Sequence, residues 1–191
     1  MNKTIKKRIE ESISVKTLLL NNQSLMLQIE NLAVAIQSAL VNNNGKVIFA
    51  GNGGSFADSM HLTTELVSRF QEERQALPAI ALGTNNSSLT AISNDYTFND
   101  VFAREIMALG KPEDVFVGIS TSGNSENVIR AVRTANDMGL KVYCLTGQTG
   151  GLLKEQAECI CVPSMITARI QEAHILIGHI VCELVEQTFV K

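Results

Sequence analysis

Five short apolar, β-branched runs alternate with segments of helical periodicity, and this predicts an α/β fold. The expected architecture is a doubly wound five-stranded parallel sheet flanked by helices, with an N-terminal helical extension. Two of the runs end in loops of Gly, Asn, Ser and Thr that open directly into a helical pattern. Ligands in such sheets bind where strand C-termini meet helix N-termini.

The chain opens on helix. Ile5, Ile9 and Ile13 recur every four residues, Leu18 and Leu19 follow, and Leu25, Leu27, Ile29, Leu32, Ala35, Ile36 and Leu40 continue the spacing. Asn21-Asn22 predicts a break, and Asn42-Asn43-Asn44-Gly45 a stop. Residues 1–44 are therefore N-terminal helices. Their apolar stripes exceed what one small sheet needs to cover, so they are expected to pack between subunits. Residues 45–191 carry the alternating strands and helices of the α/β domain, and the whole is one structural unit.

Strands are expected at 46–50, 78–82, 114–120, 141–146 and 158–162. Helices are expected from the first loop to about residue 70, near 86–93 and 98–109, from the second loop to about 138, and from about 166 to 190. The 191 residues suit a single domain, and 45% hydrophobic against 18% charged residues exclude a disordered chain. A net charge of −3 gives no basic footprint for nucleic acid or an anionic membrane. No stretch reaches the ~18 consecutive apolar residues of a membrane span, and residues 1–11 lack an apolar signal core. The expected location is the cytoplasm. Cys144, Cys159, Cys161 and Cys182 show no CxxC spacing, so reduced thiols are expected.

The first loop is Gly51-Asn52-Gly53-Gly54-Ser55. Its glycines allow positive φ and close backbone approach, and Ser55 offers a capping hydroxyl, which makes an anion-binding turn. The second, Ser120-Thr121-Ser122-Gly123-Asn124-Ser125, repeats the arrangement with four hydroxyls. Hydroxyls and helix N-termini can hold a phosphate monoester without Lys or Arg. Any strand–helix turn can contain Gly and Ser, but two such loops at strand C-termini favour function. The P-loop and GxGxxG patterns are absent, which disfavours nucleotide hydrolysis and dinucleotide binding.

His61 and Glu65, four apart, share one helix face and can grip one divalent ion. Alone, such a pair is more often incidental. His179 stands among apolar neighbours, where a histidine is more often a core residue than a ligand. Gln171 and His179 are eight apart, ~12 Å of helical rise, so they meet at one ion only at full reach.

Taken together, GNGGSFADSMHLTTEL, LPAIAL, AISNDYTFNDVF, DVFVGISTSGNSENVIRA, LTGQTGG and ARIQEAHILIGHIVCELVE resemble the sugar isomerase (SIS) fold family, and within it the bacterial phosphoheptose isomerases. The resemblance implies a homotetramer, active sites at subunit interfaces and one zinc per subunit. It also implies conversion of the ketose sedoheptulose 7-phosphate, a phosphorylated seven-carbon sugar, to D-glycero-D-manno-heptose 7-phosphate for surface polysaccharide. Zinc ligands would be His61, Glu65, Gln171 and His179. Substrate contacts would be Asn52, Gly53, Gly54, Ser55, Glu65, Asn94, Asp95, Ser120, Thr121, Ser122, Ser125 and Gln171, with Arg69 on the metal-site helix reaching the phosphate. Moving a proton between two carbons through an enediolate needs a base and a holder for the oxyanion. Glu65 is assigned as base and His179 as its acid/base partner.

Two departures stand out. Thr167-Ala168 precede Arg169 where some members carry Asp, and Phe56 follows the first loop where it would narrow the pocket. The main alternative is a non-catalytic tetramer resembling the DnaA initiator-associating protein. That pattern lacks the HxxxE pair and the final histidine and carries Arg where Ser122 stands here. An isomerase of another sugar phosphate, or a sensing domain, is the second alternative.

Overall fold

A computed structural model describes residues 2–42 and 44–190. Five strands, β1 (Val47–Gly51), β2 (Ala79–Ala81), β3 (Val115–Ser120), β4 (Lys141–Thr146) and β5 (Glu158–Cys161), form one parallel sheet in the order β2-β1-β3-β4-β5. After β1 the chain steps outward to β2, then returns to the other side of β1 to form β3. The crevice between the C-terminal ends of β1 and β3 is therefore the topological switch point. Both glycine- and serine-rich loops open onto it.

Strand residues alternate between two cores. Val47, Phe49, Val115, Val117 and Leu145 face α1 (Asn2–Leu20), α2 (Gln23–Asn42), α3 (Gly54–Val67) and α7 (Thr167–Glu186). Ile48, Ala50, Phe116, Val142 and Cys144 face α5 (Val101–Leu109) and α6 (Glu126–Asp137), with α4 (Asn86–Asp95) beside them. Burial on both faces explains why the strands read as continuous apolar runs.

Asn21-Asn22 does break the first helical segment, and the Asn22 carboxamide then caps α2 by accepting from Leu25 N at 3.1 Å. The two helices differ in their neighbours. α2 buries Leu25, Leu32, Ala33, Ile36 and Ala39 in the first core, and Gln37 donates to the Leu184 carbonyl of α7 at 2.8 Å. Gln23–Val41 is long and apolar enough to cross a membrane, yet it is a core helix of this sheet. α1 instead keeps Ile5, Ile9 and Ile13 exposed.

Element ends depart from expectation where distant side chains intervene. α3 stops at Val67 because Arg74 reaches back to the carbonyls of Glu65 (2.7 Å), Leu66 (2.8 Å) and Ser68 (3.1 Å), the groups a helix C-terminus leaves unsatisfied. A 3-10 turn at Gly151–Glu155, which periodicity does not signal, is entered through Gly150 and Gly151, both at positive φ. α7 ends at Glu186, short of residue 190. All four cysteines are free thiols, as expected.

Candidate active site

At the first loop, Gly51 is obligatory in its packing: a Cβ there would lie 2.6 Å from the Ser55 carbonyl, because the first turn of α3 folds over the end of β1. Gly53, at φ 55°, turns the chain into α3. Asn52 and Asn127 exchange two carboxamide hydrogen bonds of 2.8 Å each, which locks this loop to the start of α6 across the switch point. In the second loop the Ser120 and Ser125 hydroxyls are 2.9 Å apart.

A third segment, 147–153, braces the second loop. Gly147 N donates to Thr121 O at 3.0 Å, Leu152 N to the Asn124 side chain at 3.0 Å, and Leu153 N to Gly123 O at 3.1 Å. A cleft of about 250 Å³ opens here, lined in part by Thr121, Ser122, Asn124, Gln148, Thr149 and Thr167. Hydroxyls and amides line it, and Thr167 brings the first turn of α7 to it, a setting for an anionic group.

α3 and α7 run side by side in the same direction. Gly178 permits the close approach, since a Cβ there would fall 2.5 Å from Leu62 Cδ2. One consequence is a convergence of side chains. His61 Nε2 lies 2.9 Å from His179 Nε2 and 3.2 Å from Glu65 Oε1, and one ligand atom from each of the three falls within 4.8 Å of the others. Two imidazole nitrogens and a carboxylate oxygen facing one another are lone pairs that a single proton satisfies poorly and a divalent cation satisfies well. Two His and one Glu leave a fourth position open, the pattern of a catalytic zinc site. The donor set fits zinc.

Other expected residues fall as follows. The Gln171 amide abuts Gly54, where an added Cβ would meet its Nε2 at 2.5 Å, at the glycine loop and ~10 Å of helical rise before His61. Ser55 is buried under the turn, and Thr121 and Ser122 line the cleft. Arg69 is exposed and stands beyond the end of α3 rather than on it, at the pole opposite the loops. Asn94 and Asp95 are exposed at the last turn of α4 and bond each other at 2.9 Å. Phe56 does not line the cleft: its ring packs over Gly83 beside Phe102, on the side of the second core. Arg169 pairs with Glu172 and reaches α1 through the Arg8 carbonyl (2.8 Å) and Glu11 (3.8 Å), so it fastens α1 to α7.

Sequence reasoning missed Asn127, whose partner lies 75 residues away, and Asp58. Asp58 shares the α3 face of Gly54, His61 and Glu65, and its Oδ2 is buried with no partner among the described residues. Burial pushes its carboxyl above the usual range, with His61 opposing. The spacing of three residues before His61 was the available signal.

Comparison with known proteins places these features in a family. The SIS domain matches residues 14–147. A phosphoheptose isomerase of Roseiflexus sp. (strain RS-1) is 50% identical over 94% of this chain and 90% of that protein. One from Aneurinibacillus thermoaerophilus is 47% identical over 98% and 94%. The structure of a phosphoheptose isomerase from Francisella tularensis superposes with a TM-score of 0.92 at 40% identity, covering 97% of both chains.

Proposed function

We propose a reaction from the premise that the chain belongs to the SIS-domain family and stands among its phosphoheptose isomerases: it interconverts sedoheptulose 7-phosphate and D-glycero-D-manno-heptose 7-phosphate. The observation that carries this is the convergence of His61, Glu65 and His179 two turns along α3 from the glycine loop at the switch point. Phosphate recognition and proton transfer are thus aligned along one helix.

The phosphate is held by the hydroxyls of Ser120, Thr121, Ser122 and Ser125 and by the N-termini of α3 and α6. Asn52 and the glycines at 53 and 54 lie against the sugar hydroxyls, and Gln171 meets the sugar from the loop side. The open-chain sugar then extends toward the triad. Glu65 removes a proton from C1 of the ketose and returns it at C2, and His179 moves the hydroxyl proton between O1 and O2. A zinc ion held by His61, Glu65 and His179 would supply charge stabilisation for the enediolate oxygens; Gln171, expected as a fourth ligand, lies instead at the glycine loop, ~10 Å of helical rise away, and its use is on the sugar. A carboxylate cannot be tight ligand and free base at once, so Glu65 and His179 could not both hold such an ion tightly while they move protons.

Further parts of the reading are a homotetramer with one zinc per subunit, a cytoplasmic location, and supply of heptose for lipopolysaccharide or capsule. Asn94, Asp95 and Arg69 lie away from the cleft of their own chain, which supports their delivery by a neighbouring subunit. The non-catalytic alternative is not favoured, because it leaves the triad without a use. Glu65→Gln, loaded with zinc, is expected to lose ~100-fold or more in kcat, the scale of a positioned general base. Near-normal turnover with zinc retained would reject the assignment of the base.

A further inference from the structure

Beyond the triad, a buried ion pair lies at the far pole of α3 and α7. Glu186, in the last turn of α7, is 2% exposed, and its carboxylate accepts three consecutive backbone N–H groups: Phe70 (2.8 Å), Gln71 (2.7 Å) and Glu72 (3.0 Å). The fully buried Arg74 side chain lies 3.2 Å away and donates to the carbonyls of Glu65, Leu66, Ser68 and Gln75. A buried ion pair is by itself weak evidence for stability, since desolvation offsets its attraction. Its partners here suggest another use.

Arg74 grips the backbone of Glu65 itself. Glu186 grips the backbone of Phe70, and the Phe70 ring lies against the His179 imidazole, with centroids 5.5 Å apart and planes tilted by 34°. Both residues assigned to proton transfer are thus held from the same buried pair, one through its carbonyl and one through a ring. Without the clamp, segment 68–77 has few reasons to keep Phe70 over His179, and an imidazole that can rotate no longer faces His61 at 2.9 Å.

We propose that Phe70 is a positioning residue for His179, held in place by the Glu186–Arg74 pair, and that the clamp sets the geometry of the triad. This rests on the proposed isomerase for its kinetic arm, and on the zinc site alone for its binding arm. Glu186→Gln and Arg74→Lys can fail to fold, because either change leaves a buried group unpaired. Phe70 is half-buried, so Phe70→Leu keeps the apolar packing and removes only the ring.

The experiment compares wild type, Phe70→Leu and Phe70→Tyr by thermal melting, by kcat and KM on sedoheptulose 7-phosphate, and by zinc affinity in chelator competition. Phe70→Leu is expected to melt near the wild type with KM within about twofold, while kcat and zinc affinity each fall ~10-fold, the scale for a lost orienting contact on a metal ligand. Phe70→Tyr, which keeps the ring, is expected to restore both. Zinc affinity and kcat within about twofold of wild type in Phe70→Leu, or no recovery in Phe70→Tyr, would overturn the proposal. A wild type that binds zinc but turns over no sugar would overturn the proposed reaction instead, and the zinc arm would still decide the role of Phe70.

Discussion

His174 shows how burial fixes the chemistry of a single residue. It is fully buried, its Nε2 donates to the Thr146 carbonyl at 3.1 Å, and Nδ1 has no partner among the described residues. Burial pushes its pKa down to about 4, against the opposing effect of the Thr146 hydrogen bond. The unfolded chain takes up a proton near pH 6.5, and the folded chain refuses it until about pH 4. Stability from this group is therefore complete above ~6.5 and is lost as the pH falls toward 4, by roughly 3 kcal/mol in all. Urea unfolding at pH 7 and pH 4.5 is expected to show a smaller drop for His174→Gln than for wild type. An equal drop would assign the acid sensitivity elsewhere. His61 and Glu65 are legible in the sequence because their relation is local, one helical turn. His179 is reached in the sequence only through the family resemblance, and the roles of Asn127 and Phe70 not at all, because each depends on a neighbour brought up by the packing of distant elements.

Among elements, the α3–α7 pair carries most of the function, and Gly178 sets its spacing. A Cβ at 178 would press on the methyl groups of Leu62, which is 1% exposed, so that Leu62 or the helix must shift. Gly178→Ala is expected to cost ~1–3 kcal/mol, the range for overpacking a filled core, and to lower kcat more than it raises KM, because the helices carrying His61 and His179 are pushed apart. A melting temperature and kcat both equal to wild type would show that the contact relaxes freely. The strands are legible because burial on two faces writes them as apolar runs. Helix ends are less so: α3 extends by pattern toward residue 70, but Arg74 ends it at Val67 by capturing its carbonyls from seven or more residues downstream. The 3-10 turn at Gly151–Glu155 is fixed by contact with residues 122–124, which no local pattern encodes.

On the scale of the whole molecule, the switch point assembles the two phosphate-type loops, and α1 presents an unpartnered apolar face. Ile5, Ile9 and Ile13 are more than half exposed, on a helix that Arg169 fastens to α7. Residues 1–44 read as two helices of similar apolar pattern, yet α2 packs into the core along its length while α1 enters it only through Val15 and Leu19, a division that depends on which helix lies against the sheet. A second copy of the chain on the α1 face suits the proposed tetramer. Ile9→Glu is expected to reduce the mass measured by light scattering, and to lower activity in parallel if neighbours supply Arg69, Asn94 and Asp95. An unchanged mass would remove α1 from the assembly interface. The most direct measurement is turnover of sedoheptulose 7-phosphate by the zinc-loaded protein in deuterated water, with the product followed by NMR. Formation of heptose 7-phosphate carrying deuterium at C2, abolished by a chelator and by His61→Ala, is the expected result. Absence of product from protein with zinc bound would contradict the proposed reaction.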